Sequence, residues 1–149
     1  MKASFINPFL SSSIHVIETV IQVRPTIGEL RIREIDGLED YIWLRIGIMG
    51  QMEKDILFGF PEPMALIMVS RMMGGSIVTE FNELCQSAVA ELGNMISGNA
   101  STMLYNEGIV VDITPPHFVS DASAYKGGKA FNIPFKIETV GEFHINIMV

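Results

Sequence analysis

Residues 81–108 read FNELCQSAVAELGNMISGNASTMLYNEG, and the apolar positions in this stretch return with the spacing of a helix, not of a strand. Phe81, Leu84, Cys85, Ala88, Leu92, Met95, Ile96 and Met103 fall on one side of a helix wound at roughly 100° per residue. The pattern predicts a helix from Phe81 to Asn106, ended by Gly108. On the opposite side Ser87, Glu91, Asn94 and Gly98 form one narrow stripe. A carboxylate and an amide one turn apart, with Ser a turn before and Gly a turn after, make a low platform. A second macromolecule can rest on it while both side chains reach into that partner. From spacing alone the plainer reading is a solvated face, because any amphipathic helix shows polar residues at i and i+3.

Outward from this helix, the N-terminal part predicts another from Pro8 to Val20, with Phe9, Ile14, Ile17 and Ile21 on one side. Three runs rich in β-branched and aromatic residues follow, at Ile27 to Ile35, Tyr41 to Met49 and Glu53 to Phe60. Turn signals at Asp36-Gly37 and Gly50-Gln51 separate them and predict an antiparallel meander. Glu62-Pro63 opens a further helix, with proline where its missing N–H costs nothing, and Gly74-Gly75 closes it. After the long helix come strands at Ile109 to Ile113, around Phe118, at Asn132 to Thr139 and at Glu142 to Val149, the last two turned into a hairpin at Gly141. Asp121 to Lys129 reads as a mobile hairpin tip and not as an anion site, since a lone Gly-Gly between lysines matches no phosphate-binding motif. Strands group with strands and helices with helices, which is the pattern of an α+β fold with helices on one face of a mostly antiparallel sheet. Neither a linker nor an internal repeat divides residues 1–149, and a single domain is expected.

Composition narrows the setting. A hydrophobic fraction of 48% and a mean hydropathy of +0.34 are high for a domain that shows water its whole surface, so an oligomer is expected. Ten Lys and Arg against a net charge of −7 argue against a nucleic-acid partner and against an anionic membrane surface. Cys85, the one cysteine, sits on the apolar side of the long helix with no basic residue within a turn, and reads as a buried, inert thiol. Asn7-Pro8 and Ser11-Ser12-Ser13 break any signal-peptide core, and no span approaches the roughly 18 unbroken apolar residues of a membrane helix. A reducing cytoplasm fits this pattern. His15, His117 and His144 lack metal-ligand spacing, and no nucleophile elbow, phosphate loop or HExxH motif occurs. Glu83 and Glu91 lie two turns apart and off each other's line, which does not suit paired acid/base hydrolysis. If the stripe is an active site, the rest of the site belongs to the partner.

Met72-Met73-Gly74-Gly75, then Ser87-x-x-x-Glu91-Leu92-Gly93-Asn94-Met95, then Val111-Asp112-Ile113-Thr114-Pro115-Pro116, in this order and at these separations, resemble the CheC/CheX/FliY family of chemotaxis phosphatases. Within that family the chain is most similar to the CheX branch. The match is sharp from about Ala65 to Ser120 and weak at the N-terminal helix and the last strands. CheC-like members carry the signature twice. Here the first helix offers Ser13 with Glu18 and Ile21, which fits neither the spacing nor the Asn, and one site per chain is expected. The additional domains of FliY-like members are not in this sequence.

The resemblance implies a CheC-like fold, a mostly antiparallel sheet with two long helices packed on one face, and a homodimer joined strand to strand. It implies phosphorylated CheY-like response regulator as substrate and makes a CheD-like protein a further candidate partner. An aspartyl phosphate is a mixed anhydride already poised for hydrolysis, so the phosphatase needs no cofactor of its own. Mg²⁺ and charge neutralisation come from the regulator. On this analogy Asn94 orients the attacking water through a carboxamide that can accept and donate without competing as a nucleophile. Glu91 pairs with the regulator's lysine, and Ser87 and Gly98 are the partner-binding platform. Asn99, roughly 20° from Leu92, is expected to be a buried structural residue, and Asp112 to matter more for folding than for turnover. A non-catalytic module of the same fold, docking on a regulator or motor component, is the alternative. A self-contained small-molecule hydrolase is a third reading with little behind it.

Overall fold

A computed structural model describes residues 3–35, 41–120 and 122–149. The chain runs through α1 (Ala3–Ile21), β1 (Thr26–Ile27), β2 (Arg31–Glu34), β3 (Tyr41–Gly50), β4 (Lys54–Pro61), α2 (Glu62–Met72), α3 (Glu83–Asn106), β5 (Val111–Ile113), β6 (His117–Phe118), a 3-10 turn (Ala122–Tyr125), β7 (Lys129–Ile137) and β8 (Gly141–Met148). The strands form one eight-stranded sheet in the order β1-β7-β8-β4-β3-β5, with β2 also on β7 and β6 also on β3. Every described pairing is antiparallel.

Alternation along the four central strands sends one set of side chains toward the helices. Leu44, Ile46 and Ile48 of β3, Ile56, Phe58 and Phe60 of β4, Phe143, Ile145 and Ile147 of β8, and Ile133, Phe135 and Ile137 of β7 share a core with residues of α1, α2 and α3. Phe60, Phe143 and Phe135 stack across three neighbouring strands, with centroids 5.1 Å and 5.0 Å apart. This is the expected α+β arrangement, with α1 and α3 as its two long helices.

Three expectations change. The run from Ile27 to Ile35 does not join a meander with β3 and β4; its strands lie at the far edge of the sheet, on β7. Its composition explains the place, since Arg31, Ile32, Arg33 and Glu34 are exposed or half-buried, and a short charged strand is tolerated at an edge where a central one is not. The turn signal at Asp36-Gly37 lies outside the described residues. Next, α1 begins at Ala3 and continues through Pro8, so Asn7-Pro8 does not break it. Burial of Ile6, Pro8 and Phe9 outweighs the one backbone hydrogen bond that proline removes. Even so, no described helix is long and apolar enough to cross a membrane.

The third change concerns the segment before β7. Of residues 121–129, position 121 lies outside the described residues, and the remainder is tied down instead of forming a free hairpin tip. Gly127 donates its N–H to Ile35 O at 3.0 Å, and Ile35 donates to Gly128 O at 2.8 Å. The Tyr125 hydroxyl donates to Asp55 Oδ2 at 3.0 Å, and Asp55 is held by both Arg45 Nε and Nη2 at 3.1 Å and 3.2 Å. Arg45 and Asp55 point away from the helices, so this connection lies against the second face of the sheet, where Leu57 and Ala130 are buried.

The same face holds a polar row. Asn132 and Asn146, opposite each other on β7 and β8, are buried, and Asn132 Nδ2 donates to Asn146 Oδ1 at 2.7 Å. Asn132 Nδ2 also lies 3.2 Å from His144 Nδ1. An amide nitrogen can only donate, so Nδ1 accepts and the imidazole proton sits on Nε2, facing Glu142 at 3.4 Å. Burial lowers the His144 pKa below its usual value, Glu142 opposes the shift, and Arg33 and Arg31 add to it. Below the unfolded value of about 6.5 the unfolded chain therefore takes up a proton that the folded one resists. Stability held above that pH falls as the medium is acidified through it. Denaturant midpoints at pH 7.5 and pH 5.0 are expected to differ, and His144→Gln is expected to make the difference smaller; an unchanged difference in the variant contradicts this account.

Candidate functional site

Helix α3 starts two residues later than the apolar pattern predicts, because Asn82 caps it. The Asn82 side-chain oxygen accepts from the Cys85 backbone N–H at 3.1 Å, satisfying one of the otherwise unpaired donors of the first turn. At the other end Gly108 takes φ +86° and Ile109 donates to Leu104 O at 2.9 Å, which ends the helix at the predicted glycine.

The buried side of α3 consists of Cys85, Val89, Leu92, Gly93, Ile96, Ser97, Ala100 and Leu104. It is turned by roughly a quarter-turn from the face predicted by side-chain size. Leu84 and Met103, expected inside, are 57% and 37% exposed. Asn99, expected to be buried, is exposed. The reason is close packing. A Cβ on Gly93 would lie 2.6 Å from Leu44 Cδ2 and 3.4 Å from Ile46 Cδ1, so the helix presents its smallest residues to the sheet and approaches it where a larger side chain would hold it off. The role of Gly93 was missed in the sequence. Its signal was available, since a glycine in a helix interior costs about 1 kcal/mol against alanine and calls for a reason.

This contact lies between Glu91 and Asn94 in the chain. The helix turn that bears them is pressed onto β3 and β4, and the two side chains project from the opposite side. Ser87, Glu91 and Asn94 are exposed and Gly98 is half-buried, so the structure brings the whole predicted stripe to one surface. Among the described residues a Cβ on Gly98 would meet nothing within 4 Å. Packing among them therefore does not require that glycine, in contrast to Gly93.

The segment after α3 is structural. Thr114 Oγ1 accepts from Gly47 N at 2.8 Å, and Thr114 N donates to Gly47 O at 2.9 Å. These bonds seat β5 beside β3, and Pro115-Pro116, lacking N–H donors, separate β5 from β6. All described peptide bonds are trans. Asp112 is exposed on the edge strand β5, which does not support the folding role expected for it. Cys85 is buried, with its sulfur 3.3 Å from Glu80 O. His15 and His117 are exposed. Among the described residues no cluster of three His, Cys, Asp or Glu side chains could hold a metal ion.

A family model described as Chemotaxis phosphatase CheX matches residues 42–136. A relative named CheY-P phosphatase CheX, from Thermotoga maritima, is 31% identical over 151 residues, an alignment that takes in 100% of this chain and 97% of that protein. Among solved structures, a CheC-like superfamily protein from Shewanella sp. PV-4 matches with a TM-score of 0.85 at 26% identity, covering 99% of this chain and 98% of that one. A chain of the CheX–CheY–BeF3–Mg²⁺ complex from Borrelia burgdorferi matches with a TM-score of 0.81 at 27% identity, covering 97% and 96%.

The two glycines of α3 are expected to respond oppositely to substitution. Gly93→Val should destabilise the protein by about 1–3 kcal/mol through overpacking against Leu44. Gly98→Ala should stabilise it by up to about 1 kcal/mol through helix propensity alone. Chemical denaturation of both variants checks the pair; equal effects would contradict the different surroundings of the two positions.

Proposed function

Because this chain belongs to the chemotaxis phosphatase CheX family, we propose that it hydrolyses the aspartyl phosphate of a CheY-type response regulator, with Glu91 and Asn94 as the residues it inserts into the regulator's active site. The observation that carries this reading is the joint exposure of Glu91 and Asn94 on a helix turn whose other side is pressed onto the sheet through Gly93. The two positions differ by roughly 4.5 Å along the helix axis and roughly 60° around it, which lets both enter one pocket.

In the proposed reaction the Asn94 side-chain oxygen accepts a hydrogen bond from a water held in line with the phosphorus. The water oxygen bonds to phosphorus as the bond to the aspartyl oxygen breaks, leaving the regulator's carboxylate and inorganic phosphate. Holding the water in place removes much of the entropic cost of bringing it to the anhydride. Asn94 carries no charge to repel the phosphoryl oxygens. Glu91 anchors the complex by pairing with a lysine of the regulator, a charge-assisted contact that sets the register of the amide. Mg²⁺ belongs to the regulator in this scheme, in keeping with the presence of Mg²⁺ in the CheX–CheY complex from Borrelia burgdorferi. Ser87 and Gly98 act by being small, since bulk at either would hold the helix away. A single CheX-like domain is proposed, supported by one core that draws on residues from Ile6 to Ile147. A homodimer is proposed for the apolar surface and open sheet edges, and a CheD-like protein as an additional partner.

The test is the decay of phosphorylated CheY-type regulator with and without the protein. Wild type should accelerate decay, Asn94→Ala and Glu91→Ala should each remove most of the acceleration, and Gly98→Trp should impair it while the far-ultraviolet spectrum is unchanged. Unaltered decay with wild type, alongside binding, would favour the non-catalytic docking module instead. Light scattering on the same preparation should give a mass twice the chain's 16.5 kDa.

A further inference from the structure

The hydroxyls of α3 that follow Asn94 are treated differently by the fold. Thr102 Oγ1 donates to Gly98 O at 3.2 Å, the usual return of a helical hydroxyl to the carbonyl four residues back. Ser101 Oγ donates to Val111 O at 3.4 Å. Ser97 is fully buried, and among the described residues its Oγ has no hydrogen-bond partner. The Gly93 carbonyl, four residues back, is the acceptor that the same geometry offers it, and it is not taken. A buried hydroxyl without a partner is less favourable than alanine in the same place, so its presence calls for a reason.

Its neighbours on the helix supply one. Side chains three and four residues apart adjoin, with Cβ atoms roughly 5–6 Å apart, and each leans toward the turn N-terminal to it. Ser97 therefore leans over the turn of Gly93 and Asn94. Gly93 has no side chain, and Ser101 on the other side already directs its proton to Val111. Asn94 is exposed and lies roughly 60° from Ser97 around the axis, within reach of a carboxamide. Ser13 on α1 is also buried without a partner among the described residues, and it makes the contrast. Its neighbours at the same spacings are Phe9, Leu10, Val16 and Ile17, whose side chains form no hydrogen bonds.

We propose that Ser97 is a positioning residue that orients the Asn94 amide once a phosphorylated receiver covers it. When the partner removes water from around the amide, Asn94 Nδ2 donates to Ser97 Oγ, and the Ser97 hydroxyl donates to Gly93 O. Each of these polar groups then has a partner, and the chain ends on the carbonyl of the residue packed most closely on the sheet. The chain also decides which end of the amide is presented. With Nδ2 held, Oδ1 is the atom left to accept from the attacking water. Without Ser97 the amide can turn over and offer its N–H groups, which hold a water by the lone pair it needs for attack. This rests on the function proposed above and deepens it by naming what fixes the amide.

Ser97→Ala separates this role from a structural one. The denaturant midpoint of the free protein should be unchanged or higher, since the variant loses an unpaired hydroxyl and gains a good helix former. Against the phosphorylated receiver kcat should fall about five- to tenfold. KM, and the dissociation constant for the receiver loaded with beryllofluoride and Mg²⁺, should stay within about twofold of wild type. A readout independent of turnover is the side-chain amide of Asn94 in the nitrogen–proton NMR spectrum, identified by its absence in Asn94→Ala. In the complex with the loaded receiver its protons should exchange with water about tenfold more slowly in wild type than in Ser97→Ala. If wild type binds but does not hydrolyse, the function proposed above fails while the amide signal still decides the role of Ser97. Wild-type turnover by Ser97→Ala, a lowered midpoint with a matching loss of activity, equal amide exchange in the two complexes, or no binding by wild type would overturn the assignment.

Discussion

The position of the site depends on the contact between Gly93 and the sheet. With a Cβ there only 2.6 Å from Leu44 Cδ2, α3 can come close to β3 and β4 only because residue 93 has no side chain. That approach sets the rotation of the helix about its own axis. It turns Val89, Ile96 and Ala100 inward, leaves Leu84 and Asn99 outside, and points Glu91 and Asn94 into solvent from a turn that is supported from beneath. The pair proposed as catalytic sits on an exposed helix with little else to hold it. The precision that the proposed water positioning demands would come from the packed side of the same turn.

Packing of the sheet follows from the same economy. Its central strands carry large apolar residues toward the helices, including the stacked Phe60, Phe143 and Phe135, while charged residues such as Arg45 and Asp55 point to the second face. Arg31 and Arg33 lie at one edge and Pro115-Pro116 at the other. On the second face the buried pair Asn132 and Asn146 hydrogen-bonds across the strands. Among the described residues Asn132 Oδ1 has no hydrogen-bond partner, a cost that an apolar pair would have avoided. Burial lowers the pKa of His144 beside them, and its Nδ1, 3.2 Å from Asn132 Nδ2, completes the row.

With Glu91 and Asn94 as the proposed site residues, α3 brings a carboxylate and an amide to one surface. It can supply orientation and one anchoring charge, and the leaving group and its activation must come from elsewhere. An aspartyl phosphate on a receiver meets that condition, because the anhydride is already reactive and its barrier is lowered mainly by geometry. Family membership carries the phosphatase reading, and the exposure of Glu91 and Asn94 on α3 is compatible with the proposed site.

The sequence by itself determined the element types, the α+β class, the long helix with its glycine stop, and the stripe of Ser87, Glu91, Asn94 and Gly98. Each of these is encoded locally by periodicity, capping and turn chemistry, and the motif spacing that marks the family is local as well. Only the tertiary structure decided that the run after residue 26 pairs with β7 and not β3, that Pro8 lies inside a helix, and that Asn99 faces solvent. Alternation tells which face a strand buries but not which strand lies beside it. Helical periodicity weighted by side-chain size also misplaces a face that packs through glycine, serine and alanine. Close approach between distant segments rewards the absence of a side chain, and an absence shows its purpose only once the neighbour is in place.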